Sequence, residues 1–230
     1  MSDLIKVPTE IRSMFLEANI LKSVKKGHYL FQEGQMANEL FLIKSGRIQV
    51  SKVIADGREL SMRICSNNDV IGELTLFCRE SSYMLNAKVM ENVEVYALPK
   101  ERFEQQLSNN GELTIQWLKW IQHQNQQNQT KFRDLILHGK KGALYSTIIR
   151  LTNSYGKSLD EGILIDFPLT NQELANFCGT SREVVNRLLS ELKKQKVLSL
   201  EKGYITVHNL DYLKDEIDCE NCPISICRID

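Results

Sequence analysis

Residues 169–197 read LTNQELANFCGTSREVVNRLLSELKKQKV, and this stretch decides the fold of the last third of the chain. Thr170 followed by Glu173 is a capping box, in which a hydroxyl and a carboxylate each satisfy a backbone N–H at a helix start. Leu174 and Phe177 supply that helix's inner face, Ala175 is small where two helices must cross closely, and Gly179 permits a left-handed turn between them. Thr180 with Glu183 repeats the pattern and is read as the start of a second helix. Val184, Val185, Leu188, Leu189 and Leu192 form its apolar stripe, which leaves Arg182, Glu183, Asn186 and Arg187 on the other side. A guanidinium donates two hydrogen bonds to guanine O6 and N7, and a carboxylate accepts from cytosine N4, so that face has the chemistry of a major-groove reader of double-stranded DNA. The alternative is a winged helix used for protein contacts, with Glu183 serving as a cap alone. The following KVLSLEKGYITV (196–207) reads as a two-stranded wing with Lys202-Gly203 at its tip, where Lys202 adds a contact that is indifferent to base sequence.

Upstream, ALYSTIIRLTNSYG (143–156) reads as an amphipathic helix ended by Gly156, and HGKKG (138–142) as a hinge before it. Residues 112–138, ELTIQWLKWIQHQNQQNQTKFRDLILH, lack proline and internal glycine and predict one long helix. Its apolar residues Trp117, Leu118, Ile121, Phe132, Leu135 and Ile136 flank a Gln/Asn-rich middle that stabilises an isolated helix poorly. Either it packs within a domain or it pairs with a second copy of the chain, and the pattern favours a homodimer.

Between about residues 28 and 99 the text alternates at period two. HYLFQEGQ, ELFLIKSGRIQVSKV with a Ser45-Gly46 turn, RELSMRI and AKVMENVEVYAL predict an antiparallel β-roll closed at Leu98-Pro99. The fold class is thus α+β, in four parts: a sensor-like β-roll (1–111), a dimerisation helix (112–138), a winged helix-turn-helix (139–217) and a cysteine-bearing tail (218–230).

A chain of 230 residues, 42% of them hydrophobic, can fill two cores. Formal net charge is zero, so nucleic-acid binding must come from a local basic face. No apolar run is long enough for a membrane span, and MSDLIKVPTEIRSMF lacks the order of a secretory signal, so a cytoplasmic protein with no membrane partner is expected. Cys65, Cys78 and Cys178 stand singly among apolar neighbours and read as small buried hydrophobes. Cys219, Cys222 and Cys227 fall within nine residues as C-x2-C-x4-C, a clustering that asks for metal. No nucleophile–base pair can be singled out and the cysteine spacing does not match that of iron-sulfur radical enzymes, so catalysis is not expected.

Roll, long helix, hinge and winged helix-turn-helix together resemble the Crp/Fnr family of bacterial regulators over essentially the whole chain. GELTLF (72–77) is similar to the family's glycine-glutamate turn, and SREVVNRLL (181–189) to its recognition helix. The resemblance implies an activator of transcription that works with RNA polymerase, with Arg182, Glu183 and Arg187 reading TGTGA-type half-sites in an inverted repeat. Cyclic-nucleotide-binding members carry an arginine and a serine or threonine where SSYMLNAK (81–88) here has Tyr83 and Met84. Without the anion's partner no cyclic nucleotide is expected, and Gly72 and Glu73 become turn-shaping residues. The tail DCENCPISICRID (218–230), with HGKKGALYS and LTNQELANFC, resembles the Bacillus-type oxygen-responsive Fnr regulators. That resemblance implies a 4Fe-4S cluster, one per subunit, held by Cys219, Cys222, Cys227 and Asp134. Thiolate preference and the Cys222-Pro223 step agree with it. A structural zinc site completed by His208 or Asp134, and a metal-free thiol switch among the three cysteines, remain open.

Overall fold

The structure is a computed structural model that describes residues 7–78 and 81–230; the first residues of the segment read above for a signal, 1–6, lie outside it. The described residues form two compact units, one comprising residues up to Gly57 with Met62–Gln124, the other Arg58–Ser61 with Asn125–Ile229.

The first unit is the β-roll. Helix α1 (Thr9–Ala18) precedes strands β1 (Ile20–Val24), β2 (Tyr29–Phe31), β3 (Glu39–Val53), β4 (Glu59–Cys65), β5 (Val70–Ile71) and β6 (Asn86–Pro99). Helix α2 (Lys100–Asn109) and the first part of α3 (Gly111–Leu137) complete it. The sheet runs β1-β6-β3-β4, with β2 added on β6 and β5 on β3. Period-two alternation explains most of this, but Leu40, Phe41, Leu42 and Ile43 are all buried, because the sheet is covered on both faces there. Phe41 and Ile43 face Val93, Val95 and Ala97 inside the roll. Leu40, Leu42 and Leu98 pack against Ile11 and Phe15 of α1, Phe103 and Leu107 of α2, and Leu113, Trp117 and Trp120 of α3.

Three expectations change here. Ser45-Gly46 is not a turn between strands. β3 continues through it as a bulge, with register shifts against β6 from Ile43 to Ile48. Trp117 is not part of a partner-facing surface; it is spent on the roll's core, its ring 4.8 Å from Trp120 and 4.9 Å from Phe103. The large apolar side chains that α3 leaves exposed are Ile115, Leu118, Phe132, Ile136 and Leu137. Cys65 and Cys178 are buried, as read, but Cys78 is exposed, following Phe77 out of the short 3-10 turn at Glu73–Thr75.

The second unit holds the helix-turn-helix: α4 (Gly139–Tyr155), β7 (Gly156–Leu159), β8 (Gly162–Ile165), α5 (Asn171–Phe177), α6 (Arg182–Lys194), β9 (Leu198–Glu201), β10 (Tyr204–Val207) and α7 (Leu210–Asp215). A four-stranded sheet, β7-β8-β10-β9, contains the expected wing and a hairpin, β7-β8, that the sequence reading passed over. The HGKKG hinge shrinks to His138, since α4 begins at Gly139. A Cβ at Gly142 would lie 2.1 Å from the Cβ of His138, so glycine there lets α4 start against the end of α3. From Gly142 to Thr152 every residue of α4 is buried, so it is a central helix rather than an amphipathic one. Among the described residues no helix is long and apolar enough to cross a membrane.

The bulge gives a direct test of the roll. Gly46 has φ +85°, and an added Cβ would sit 2.3 Å from the carbonyl oxygen of Asn92. Gly46→Ala is expected to lower unfolding stability by about 2 kcal/mol or more; urea titrations with matching midpoints for variant and wild type would contradict the bulge.

Candidate functional site

The recognition surface is built by local rules. Thr170 caps α5 with a full capping box: its N–H donates to Glu173 Oε2 at 2.7 Å and its Oγ1 accepts from Glu173 N–H at 3.2 Å. Gly179 takes φ +58° in the turn. The cap of α6 is Ser181 rather than Thr180, its Oγ accepting from Val184 N–H at 3.5 Å. This shift of one residue places Arg182 and Glu183 in the first turn. Val185, Leu188, Leu189 and Leu192 are buried, while Arg182, Glu183, Asn186 and Arg187 are all exposed. Hydrogen bonds from its own backbone N–H and then from the Ser181 hydroxyl hold the Glu183 carboxyl below the usual range, so it is an acceptor at neutral pH. Asn186 Oδ1 accepts from Asn171 on α5. Lys202 and Gly203, both at positive φ, form the wing tip between β9 and β10.

The tail cysteines meet at a second place in this unit. Cys219, Cys222 and Cys227 line one cavity together with Asp134, Arg133, His138, Ser146 and Arg150. Asp134, on the last turns of α3, is 6% exposed and fully engaged. Its Oδ2 accepts from Ser146 Oγ at 2.6 Å and pairs with Arg150 Nη2 at 2.7 Å. Its Oδ1 accepts from Arg133 Nε at 3.1 Å and Nη2 at 2.9 Å. Burial alone would raise its pKa, but Ser146, Arg150 and Arg133 outweigh that and hold it below the ordinary carboxylate value. Burial pushes the Cys227 thiol up, with the nearby Arg150 opposing it. Arg133 also reaches Cys222 Sγ at 3.8 Å and pairs with Glu220.

The tail is docked by backbone bonds as well. Asn153 Nδ2 donates to Cys227 O at 2.7 Å, Arg228 Nη1 to Asn153 O at 2.7 Å, and Gln127 Nε2 to Ser225 O at 2.9 Å. Among the described residues no three His, Cys, Asp or Glu side chains are grouped closely enough to hold a single metal ion. His208 does not join the cysteines: its ring bonds Glu161 O at 2.7 Å and Ser199 Oγ at 2.9 Å in the four-stranded sheet. Sequence reading missed Arg133, His138, Ser146 and Arg150 at this cavity; the one signal for them was Arg150 standing inside the apolar run of α4.

In the roll, Gly72 has φ +94° and Glu73 pairs with Arg63 at 2.7 Å, as turn-shaping residues would. Tyr83 is buried, its ring stacked on Phe31 at 3.9 Å and its hydroxyl donating to Glu39 O at 2.8 Å. Of the two positions read for the anion's partners, Tyr83 is thus part of the roll's core, while Met84 is exposed.

These features set a β-roll in the first unit and a winged helix-turn-helix in the second. Residues 21–110 match the cyclic nucleotide-binding domain and residues 143–216 the Crp-like helix-turn-helix domain. The chain is 50% identical over 230 residues to the anaerobic regulatory protein of Bacillus subtilis (strain 168), covering all of this chain and 96% of that one. It is 30% identical over 208 residues to the lactate racemization regulatory protein of Lactiplantibacillus plantarum, covering 88% and 94%. The structure of FixK2 from Bradyrhizobium japonicum superposes with a TM-score of 0.71 at 16% identity, covering 85% and 95%. The chain belongs to the Crp/Fnr family of transcription regulators, whose members bind DNA and typically act as dimers.

Arg182 and Arg187 are exposed on the face of α6 opposite its buried stripe, the face from which base contacts are expected. Replacing either with alanine is expected to cost about 1–3 kcal/mol of discrimination at one guanine position, whereas Lys202→Ala weakens binding evenly across sequences. Gel-shift titrations on operator and scrambled duplexes check this; equal losses on both by the arginine variants would contradict the assignment.

Proposed function

We propose that this regulator responds to oxygen, binding TGTGA-type inverted repeats as a homodimer when a 4Fe-4S cluster, one per subunit, is held by Cys219, Cys222, Cys227 and Asp134. The observation that carries the reading is the shared cavity: three thiols from a thirteen-residue tail and a buried carboxylate from α3 line the same space. The relative in Bacillus subtilis described as an anaerobic regulatory protein supports it.

The donor set suits the group. Thiolates are the favoured ligands of iron-sulfur clusters, and a carboxylate is a harder, weaker donor that leaves one position labile. Two guanidiniums, Arg133 and Arg150, flank these donors and offset the negative charge that deprotonated thiols bring into a partly buried space. A single zinc ion would draw the same donors into one tetrahedron, whereas a cluster takes one ligand per iron. Bound there, the cluster supplies an oxygen-labile cross-link between the tail and the end of α3.

The chain's own residues carry the consequence to DNA. α4 follows α3 after His138, lines the cavity through Ser146 and Arg150, and packs on both α5 and α6. A change in how α3 meets α4 therefore reaches the reader through one buried helix. A tenfold to hundredfold change in affinity needs only about 1.4–2.8 kcal/mol of coupling. The exposed Ile115, Leu118, Ile136 and Leu137 of α3 supply apolar surface for the second copy. Phe31 and Tyr83 stack in the roll's core; no cyclic nucleotide takes part in this response, and the protein acts in the cytoplasm as an activator with RNA polymerase, without a membrane partner.

Cys222→Ser is expected to remove the cluster and to leave the protein in its weak-binding state with or without oxygen, about tenfold or more below anaerobic wild type on operator DNA. An iron-free Cys222→Ser protein that binds operator tightly in air would contradict the reading.

A further inference from the structure

We propose that Arg150 is the positioning residue of the cysteine site, holding the Asp134 carboxylate by one edge and docking the tail by the other, so that α3, α4 and the tail keep their register before any metal group enters. The proposal rests on the reading above for what the site is for, but the geometry behind it concerns Arg150 alone.

Arg150 is 1% exposed, among the largest fully buried side chains in the protein. A buried guanidinium with no partner is strongly disfavoured, so its five N–H groups must find acceptors. They find them on three segments. Nη2 pairs with Asp134 Oδ2 on α3 at 2.7 Å, and Nε donates to Ser146 Oγ on α4 at 3.2 Å. Nη1 lies 3.4 Å from Ile226 O and 3.5 Å from Arg228 O in the tail, on either side of Cys227. One planar fork therefore joins the carboxylate to the segment that carries the third cysteine.

The two oxygens of Asp134 are used differently. Oδ2 is held from the buried side by Arg150 and Ser146. Oδ1 faces Arg133, whose side chain is 28% exposed and which also reaches Cys222. The arrangement holds Asp134 from the buried side through Oδ2, while Oδ1 accepts from Arg133, the residue that also reaches Cys222. Lysine at 150 would keep the charge opposite Asp134 but lacks the fork that spans to the tail.

The test uses full-length protein stripped of iron, followed by hydrogen exchange, so that no cluster is needed for the readout. Arg150→Met is expected to raise exchange at residues 225–229 and at the end of α3 by about tenfold or more, while Val185 and Leu189 in α6 keep wild-type protection. Arg150→Lys should restore protection at the end of α3 but not in the tail. Uniform loss across α6 and the tail would mean a merely structural role and would overturn the proposal, as would exchange in Arg150→Met within about twofold of wild type. Should Arg150→Met not fold, Ser146→Ala decides in its place: it removes one hydroxyl shared by Asp134 and Arg150, and an unchanged α3 end would overturn the proposal equally. Anaerobic reconstitution with ferrous iron and sulfide separates the two readings. Failure of wild type to take up iron sinks the cluster and leaves the exchange result standing, whereas iron uptake by wild type with a wild-type exchange pattern in Arg150→Met sinks only the role of Arg150.

Discussion

The Asp134–Arg150 ion pair is the constraint on which the second unit turns. Both side chains are buried, and removing one partner of such a pair leaves an uncompensated charge at a cost of about 3–5 kcal/mol. A hydrophobic pair of the same volume would hold α3 to α4 as well or better. What apolar residues would not give is a fixed carboxylate and a row of donors facing the tail. The pair is thus better understood as specifying an arrangement than as adding stability, and Ser146, Arg133 and the tail carbonyls complete its hydrogen bonding.

The helix-turn-helix meets that arrangement through α4, which packs on both α5 and α6. Its own construction is local: one capping box, one left-handed glycine, a serine cap and an apolar stripe. Such features are written within a few residues of one another, which is why the helix-turn-helix, the wing and the exposed face carrying Arg182, Glu183, Asn186 and Arg187 were legible from residues 169–207. The roll was legible for the same reason, since period-two alternation is also local. What escaped depends on distant partners. The bulge at Ser45-Gly46 requires knowing that β6 runs alongside, and the fate of Trp117 requires knowing that Phe103 and Trp120 meet it. The β7-β8 hairpin is short, with β7 wholly exposed, and β8 is held by pairing with β10.

The tail shows the same division. Clustering of Cys219, Cys222 and Cys227 was visible in the text, and resemblance pointed to Asp134. That Arg133, Ser146 and Arg150 surround them was not, because a lone arginine within ALYSTIIRLT looks like an interruption until the carboxylate it meets is placed. His208 fails as a partner for an equally tertiary reason, being held by Glu161 and Ser199. In the roll, Tyr83 could be read from sequence, but not that it would stack on Phe31 and donate to Glu39 O.

The proposed iron-sulfur cluster in the shared cavity, and its control of DNA binding, turn on the metal content of the protein itself. Both are tested most directly by purifying the wild-type protein without oxygen, measuring iron, acid-labile sulfide and the visible spectrum, and titrating operator DNA with the same sample before and after air. About four irons and four sulfides per subunit are expected, with a broad brown absorbance that air bleaches and a parallel fall in affinity. Tight operator binding by a colourless, iron-free protein, unchanged by air, would contradict the proposal.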